Sequence, residues 1–154
     1  MQRKVWERGR PCMQEAVFVN NIYNRAFEET SRRCRPLSAL FELTYSCNTR
    51  CEHCYLTGFN QSEACFRDGE LSTREICSVL EQMAEAGVLF LTFSGGEALL
   101  RWDFFEIAKK ARDLEFAIRI FTNGTLVDEK TASRIAGLDP LEVEVSIYGA
   151  CAKT

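Results

Sequence analysis

The first apolar positions of the chain recur with a helical period. Val19, Ile22, Tyr23, Ala26 and Phe27 stand at i, i+3, i+4, i+7 and i+8, which predicts an amphipathic helix within residues 14–33. It should end before Arg35-Pro36, because the residue before proline is pushed out of the α region. From Leu37 onward the pattern alternates between strand and helix. Leu40–Ser46 reads as a strand with Phe41, Leu43 and Tyr45 on one face. Leu71–Gly87 reads as a helix, opened by the capping box Ser72-Thr73-Arg74-Glu75, striped by Ile76, Val79, Leu80 and Met83, and stopped at Gly87. Val88–Ser94, Phe116–Thr122 and Leu141–Ile147 read as further strands. Asp103–Leu114, with Asp103 as N-cap and Glu106 at N3, and Asp128–Gly137 read as the intervening helices. This alternation predicts an α/β domain of parallel strands joined by crossover helices.

The strand faces carry more information than their number. Leu89, Leu91 and Phe93, then Ile118 and Ile120, then Val143, Val145 and Ile147 form apolar faces that can pack on helices. The opposite faces carry Glu42, Thr44 and Ser46, Thr92 and Ser94, Arg119 and Asn123, and Glu142, Glu144 and Ser146. A fully buried parallel sheet is apolar on both faces. A second face that stays polar on all four strands implies a wet or ligand-filled concavity, or plain exposure to solvent.

Composition narrows the class. The chain has 154 residues, 46% hydrophobic and 27% charged, with a formal net charge of −3, which suits one globular domain. No global basic field for nucleic acid exists, and no apolar run approaches the ~18 residues of a membrane span. The basic start MQRKVWERGRPCMQE lacks the apolar segment of a secretory signal. Residues 1–36 hold eight Lys+Arg against four Asp+Glu, and the remainder eleven against eighteen. This predicts a basic N-terminal arm with its helix (1–36) on an acidic core domain (37–154). The arm's charge is either a solvated helix face or a contact for an acidic, leader-like substrate.

Eight cysteines lie at 12, 34, 47, 51, 54, 65, 77 and 151. Without a secretory signal, a disulfide framework is not expected. Three fall within eight residues, Cys47-Asn-Thr-Arg-Cys51-Glu-His-Cys54. Three thiolates at that spacing can hold one metal centre, and three ligands leave a coordination position open. An iron–sulfur cubane so held keeps one iron for a non-protein ligand. A structural zinc site would recruit a fourth ligand, and the sole histidine, His53, is an awkward one because it adjoins Cys54. The triad follows the first predicted strand. The next three strands end in Ser94-Gly95-Gly96-Glu97, Thr122-Asn123-Gly124 and Ser146-Ile147-Tyr148-Gly149. Polar and glycine-rich residues thus gather at the C-terminal ends of consecutive strands, where α/β barrels build their sites.

CNTRCEHCY (47–55), FSGGEALL (93–100), FTNGTL (121–126) and VSIYGA (145–150) stand in this order on the βα frame. With them, residues 37–151 resemble the first part of the core of radical S-adenosylmethionine (radical SAM) enzymes. The branch most resembled carries SPASM-type C-terminal domains and modifies ribosomal peptides or matures other proteins. The resemblance implies a partial (βα) barrel with four of six units present and the last two missing. It implies a 4Fe–4S cluster on Cys47, Cys51 and Cys54 whose open iron binds SAM. One electron from a low-potential donor such as flavodoxin or ferredoxin would then yield a 5′-deoxyadenosyl radical that takes a hydrogen atom from substrate.

The resemblance also assigns residues to SAM. His53 occupies a position near the adenine, Gly95, Gly96 and Glu97 the stretch that receives the amino group, and Asn123 and Ser146 positions that contact ribose or carboxylate. A cytoplasmic enzyme acting on a peptide or protein is implied. Two departures are visible. Ala98 stands where the family has proline, and the chain stops at Thr154, soon after the fourth strand, so a C-terminally truncated product is expected. The alternatives to an active enzyme are a cysteine-rich zinc module on an α/β scaffold and a catalytically incomplete chain.

Overall fold

A computed structural model describes residues 13–56 and 69–147, with the backbone alone for 13–20. The chain falls into two compact units, Met1–Arg35 and Pro36–Thr154. In the first, α1 (Met13–Arg32) is the predicted amphipathic helix. The Arg35 amide donates to the Thr30 carbonyl and Cys34 takes a positive φ of 51°, so the helix is closed by a left-handed residue just before Pro36. Ile22, Tyr23 and Phe27 on its stripe are exposed.

The second unit is a four-stranded parallel sheet in sequence order. Its elements are β1 (Ser38–Thr44), α2 (Thr73–Ala86), β2 (Phe90–Gly95), a 3-10 turn at Ala98–Leu100, α3 (Phe104–Asp113), β3 (Ala117–Thr122), α4 (Glu129–Gly137) and β4 (Glu142–Val145). The Ser72 hydroxyl and Glu75 carboxylate form the reciprocal box predicted for α2, and Gly87 ends it at φ 95°. One face of the sheet is the core. Leu43, Leu91, Phe93, Ile118 and Ile120 meet Ile76 and Leu80 of α2, Phe104, Ile107, Ala108 and Ala111 of α3, and Ile135 of α4. The Phe93 and Phe104 rings meet edge to face at 5.9 Å.

Three local expectations are corrected and a fourth is refined. Leu89 precedes β2 and is half exposed. Tyr45 lies beyond β1, because the register slips between Glu42 and Thr44; a bulge breaks the strict alternation that put Tyr45 beside Leu43. Val143, Val145 and Ile147 are exposed, since β4 is the sheet edge and, among the described residues, no helix follows to cover it. Asp103 holds the N-cap position of α3 as predicted, but its side chain makes no capping hydrogen bond. Its carboxylate instead takes Arg101 Nε at 2.9 Å, Arg101 Nη2 at 2.8 Å and the Thr73 hydroxyl at 2.7 Å.

Arg101 is fully buried, and it organises the bulge. Its Nη1 donates to the Leu43 carbonyl at 3.0 Å and its Nη2 to the Leu71 carbonyl at 3.2 Å. Glu70 stands 3.7 Å from the guanidinium and accepts from the Thr44 hydroxyl and the Tyr45 amide. Burial raises the Asp103 pKa, but hydrogen bonds from Arg101 and Thr73 outweigh it and hold the carboxyl below its ordinary range. Such a group contributes stability above its unfolded pKa of about 3.9, and the contribution disappears as pH falls through the folded value. Urea unfolding followed from pH 6 downward should therefore show wild-type stability falling more steeply below about pH 4 than that of Asp103→Asn.

Candidate metal and cofactor site

The site is made where β1, β2 and β3 end. At β2 the chain must pass very close to β1. The Gly96 amide donates to the Thr44 carbonyl at 2.7 Å, and the Glu97 amide to the Ser46 carbonyl at 2.9 Å. A Cβ on Gly95 would overlap the Thr44 carbonyl oxygen. One on Gly96 would overlap the Ser46 carbonyl oxygen, with the Ser46 carbonyl carbon at 2.7 Å and the Tyr45 oxygen at 2.9 Å. Gly95 also has φ 118°, a conformation that glycine adopts without steric cost. The glycines therefore let two backbone segments meet directly beneath the cysteine loop.

Glu97 points into the protein. It is fully buried, and its Oε1 accepts from the Leu99 amide at 3.0 Å and the Thr122 hydroxyl at 2.9 Å, while Oε2 accepts from the Asn123 amide at 2.7 Å. It joins the end of β2 to the end of β3. The Asn123 carboxamide is engaged on both sides. Its Nδ2 donates to Asn48 Oδ1 at 2.9 Å, and its Oδ1 accepts from the Thr125 amide and hydroxyl at 2.9 and 2.6 Å.

Above these turns lies a cavity of about 280 Å³. Cys47, Cys51, Cys54, His53, Gly95, Gly96, Asn123 and Ser146 all line it. The structure thus brings together every predicted site residue except Glu97, whose side chain braces the floor from behind. The three thiols are free and partly buried. Among the described residues, no three His, Cys, Asp or Glu side chains converge on a single ion. Cys34 is exposed, and burial pushes the Cys77 thiol pKa up in its place on α2. Cys12, Cys65, Cys151 and the basic residues of the N-terminal arm before Met13 lie outside the described residues.

Sequence reasoning missed part of the wall. Tyr45, Thr49, Tyr55 and Phe121 also line the cavity, beside Glu144 of the polar face already read as a concavity. Tyr55 donates to Glu42 Oε1 at 2.7 Å. Partial burial of the phenol, with the Glu42 carboxylate beside it, pushes Tyr55 up to about 12. Glu42 also raises Tyr45 through a hydrogen bond. Both phenols therefore stay protonated at neutral pH. Thr49 was visible only as a spacer between two cysteines, and only its distances to sulfur give it a role.

Comparison with known proteins gives the chain's family and fold relatives. The model of the radical SAM superfamily matches residues 41–151. Mycofactocin maturase MftC of Mycobacterium ulcerans is 34% identical over 118 residues, covering 77% of this chain and 31% of that protein. PqqA peptide cyclase of Gluconobacter oxydans is 39% identical over 110 residues, covering 70% and 30%. The chain thus spans about a third of the length of these curated relatives. Among solved structures, BtrN in complex with AdoMet and 2-DOIA superposes with a TM-score of 0.62 at 20% identity, over 75% of this chain and 47% of that one. SuiB of Streptococcus suis bound to S-adenosylmethionine superposes at 0.56 with 22% identity, over 66% and 23%. These two likenesses are likenesses of fold.

Proposed function

The chain belongs to the radical SAM superfamily, and from that premise we propose that it carries a 4Fe–4S cluster on Cys47, Cys51 and Cys54 and binds SAM beside it. The observation that carries this reading is the convergence of the three thiols with Gly95 and Gly96 on one cavity at the C-terminal end of a parallel sheet. When bound, cluster and SAM together supply one-electron cleavage of a sulfonium and a carbon radical able to abstract hydrogen.

The chain's residues then have separable tasks. The cysteines offer three thiolates and leave a fourth coordination position for a non-protein ligand. An ammonium group donates hydrogen bonds, so what it requires from the Gly95-Gly96 turn is carbonyl oxygen; the Gly96 amide is already engaged with Thr44. Glu97 braces the turn. His53 and Ser146, on the cavity wall, are proposed to flank the adenosyl portion. Asn123 contributes through its backbone and through the loop it holds. The phenols of Tyr45 and Tyr55 and the carboxylate of Glu144 face the remaining space and are proposed to meet substrate.

A single zinc ion is the competing occupant. A structural zinc site takes four ligands, and His53, adjoining Cys54, is an awkward fourth for the same ion. The relatives named as a peptide maturase and a peptide cyclase support a peptide or protein substrate. Among the described residues, no helix is long and apolar enough to cross a membrane. We place the reaction in the cytoplasm, with a flavodoxin- or ferredoxin-type donor supplying the electron.

Anaerobic reconstitution with iron and sulfide tests the reading. The unaltered chain should take up about four iron per chain and absorb broadly in the visible. Cys47→Ala, Cys51→Ala and Cys54→Ala should each lose most of that iron, while Cys34→Ala and Cys77→Ala retain it. Full iron in Cys51→Ala, or one zinc and no iron in the unaltered chain, would sink the assignment.

A further inference from the structure

The side-chain network beneath the cavity ends on sulfur. Thr49 Oγ1 lies 3.2 Å from Cys47 Sγ and 3.7 Å from Cys51 Sγ. Asn123 Nδ2 donates to that same hydroxyl oxygen at 3.4 Å and to Cys47 Sγ at 3.8 Å. The Asn123 carboxamide has little freedom to turn, because Asn48 Oδ1 holds its nitrogen and Thr125 holds its oxygen. Asn48 Nδ2 in turn donates to Thr125 Oγ1 at 2.9 Å, which closes the ring of contacts between the cysteine loop and the turn after β3.

This arrangement fixes a direction. An amide hydrogen placed on the Thr49 oxygen occupies one of its lone pairs. The hydroxyl proton must then point elsewhere, and the nearest acceptor is Cys47 sulfur. A thiolate has no proton to give, so once Cys47 is ionised the hydroxyl is the donor.

We propose that Thr49, oriented by Asn123, donates a hydrogen bond to the Cys47 thiolate and so raises the reduction potential of the iron–sulfur centre on the cysteine loop. The proposal rests on the reading of the three cysteines as cluster ligands. Reduction adds one electron, and part of the added negative charge resides on the sulfurs. A donor aimed at sulfur stabilises the more negative state more strongly, which moves the potential upward. Asn123 is a positioning residue for Thr49 and adds a longer donor of its own to the same sulfur.

The test is a potentiometric titration of the anaerobically reconstituted chain, with dithionite as reductant and the paramagnetic resonance of the reduced centre as readout. Thr49→Val preserves shape and removes the donor. It should keep wild-type iron content and lower the reduced-to-oxidised ratio at fixed potential by three- to tenfold, the upper figure being about 59 mV for one electron. Thr49→Ser should restore the wild-type potential, and Asn123→Ala should move it the same way as Thr49→Val but less. An unchanged potential in fully loaded Thr49→Val overturns the proposal, and so does an equal fall in Thr49→Ser. Should Thr49→Val fail to load, Thr49→Ala decides in its place: a potential below that of wild type and of Thr49→Ser supports the proposal, and a wild-type potential overturns it. Failure of the unaltered chain to load iron would overturn the ligand assignment itself, which is a different result.

Discussion

Arg101→Met should destabilise the protein by about 3–5 kcal/mol, the usual cost of removing one partner from a buried ion pair. The side chains of Arg101 and Asp103 are both fully buried, so the remaining carboxylate would have no solvent to replace its partner. Two backbone carbonyls, at Leu43 and Leu71, would also lose their guanidinium donor. The loss should appear as a lower urea midpoint with little change in slope. A second substitution separates the contributions. If uncompensated charge dominates, Arg101→Met combined with Asp103→Asn should be more stable than Arg101→Met alone. If the lost carbonyl contacts dominate, the double variant gains nothing. A single variant within about 1 kcal/mol of wild type would show that the guanidinium is not structural.

Gly96→Ala should be at least as damaging locally, at about 3 kcal/mol or more. The added methyl meets main-chain atoms of Tyr45 and Ser46, and a main chain cannot step aside as the tip of a flexible side chain can. Relief requires separating the ends of β1 and β2, which breaks the amide contacts from Gly96 to Thr44 and from Glu97 to Ser46. Cys47 follows directly on Ser46 in the chain, so iron loading should fall together with stability. Denaturation and iron content measured on the same preparation check this. Wild-type values for both would mean that the close approach is dispensable.

Much of this molecule could be read from its sequence, and the exceptions share a cause. The βα alternation, the Ser72–Glu75 box and the Gly87 stop depend on residues within one turn of each other, and they appeared where local rules put them. The clustering of thiols, glycines and Asn123 around one cavity was legible because each sits at the end of a strand, and parallel strands end on the same side. The rest lies where distant residues intervene. Asp103 stands at the N-cap its local signature predicted, but an arginine two residues upstream and Thr73 thirty residues away engage its carboxylate. The Gly-Gly pair read as room for a ligand to approach backbone, and the sequence did not show that backbone from some fifty residues earlier also lies against it. Glu97 read as an acceptor for an ammonium, and what the sequence did not show is that Thr122 and Asn123 donate to its carboxylate.

That last arrangement has a thermodynamic consequence. Fixing the backbone of one residue costs about 1–2 kcal/mol in lost entropy. If the turn after β3 were loose, an arriving ligand would have to order it and would bind more weakly by that amount. With the Glu97 carboxylate gripping the Thr122 hydroxyl and the Asn123 amide, the ordering is completed during folding. The floor is therefore preorganised, and less contact energy is lost on arrival. By holding the turn, the Glu97 side chain contributes to affinity for whatever molecule the cavity receives.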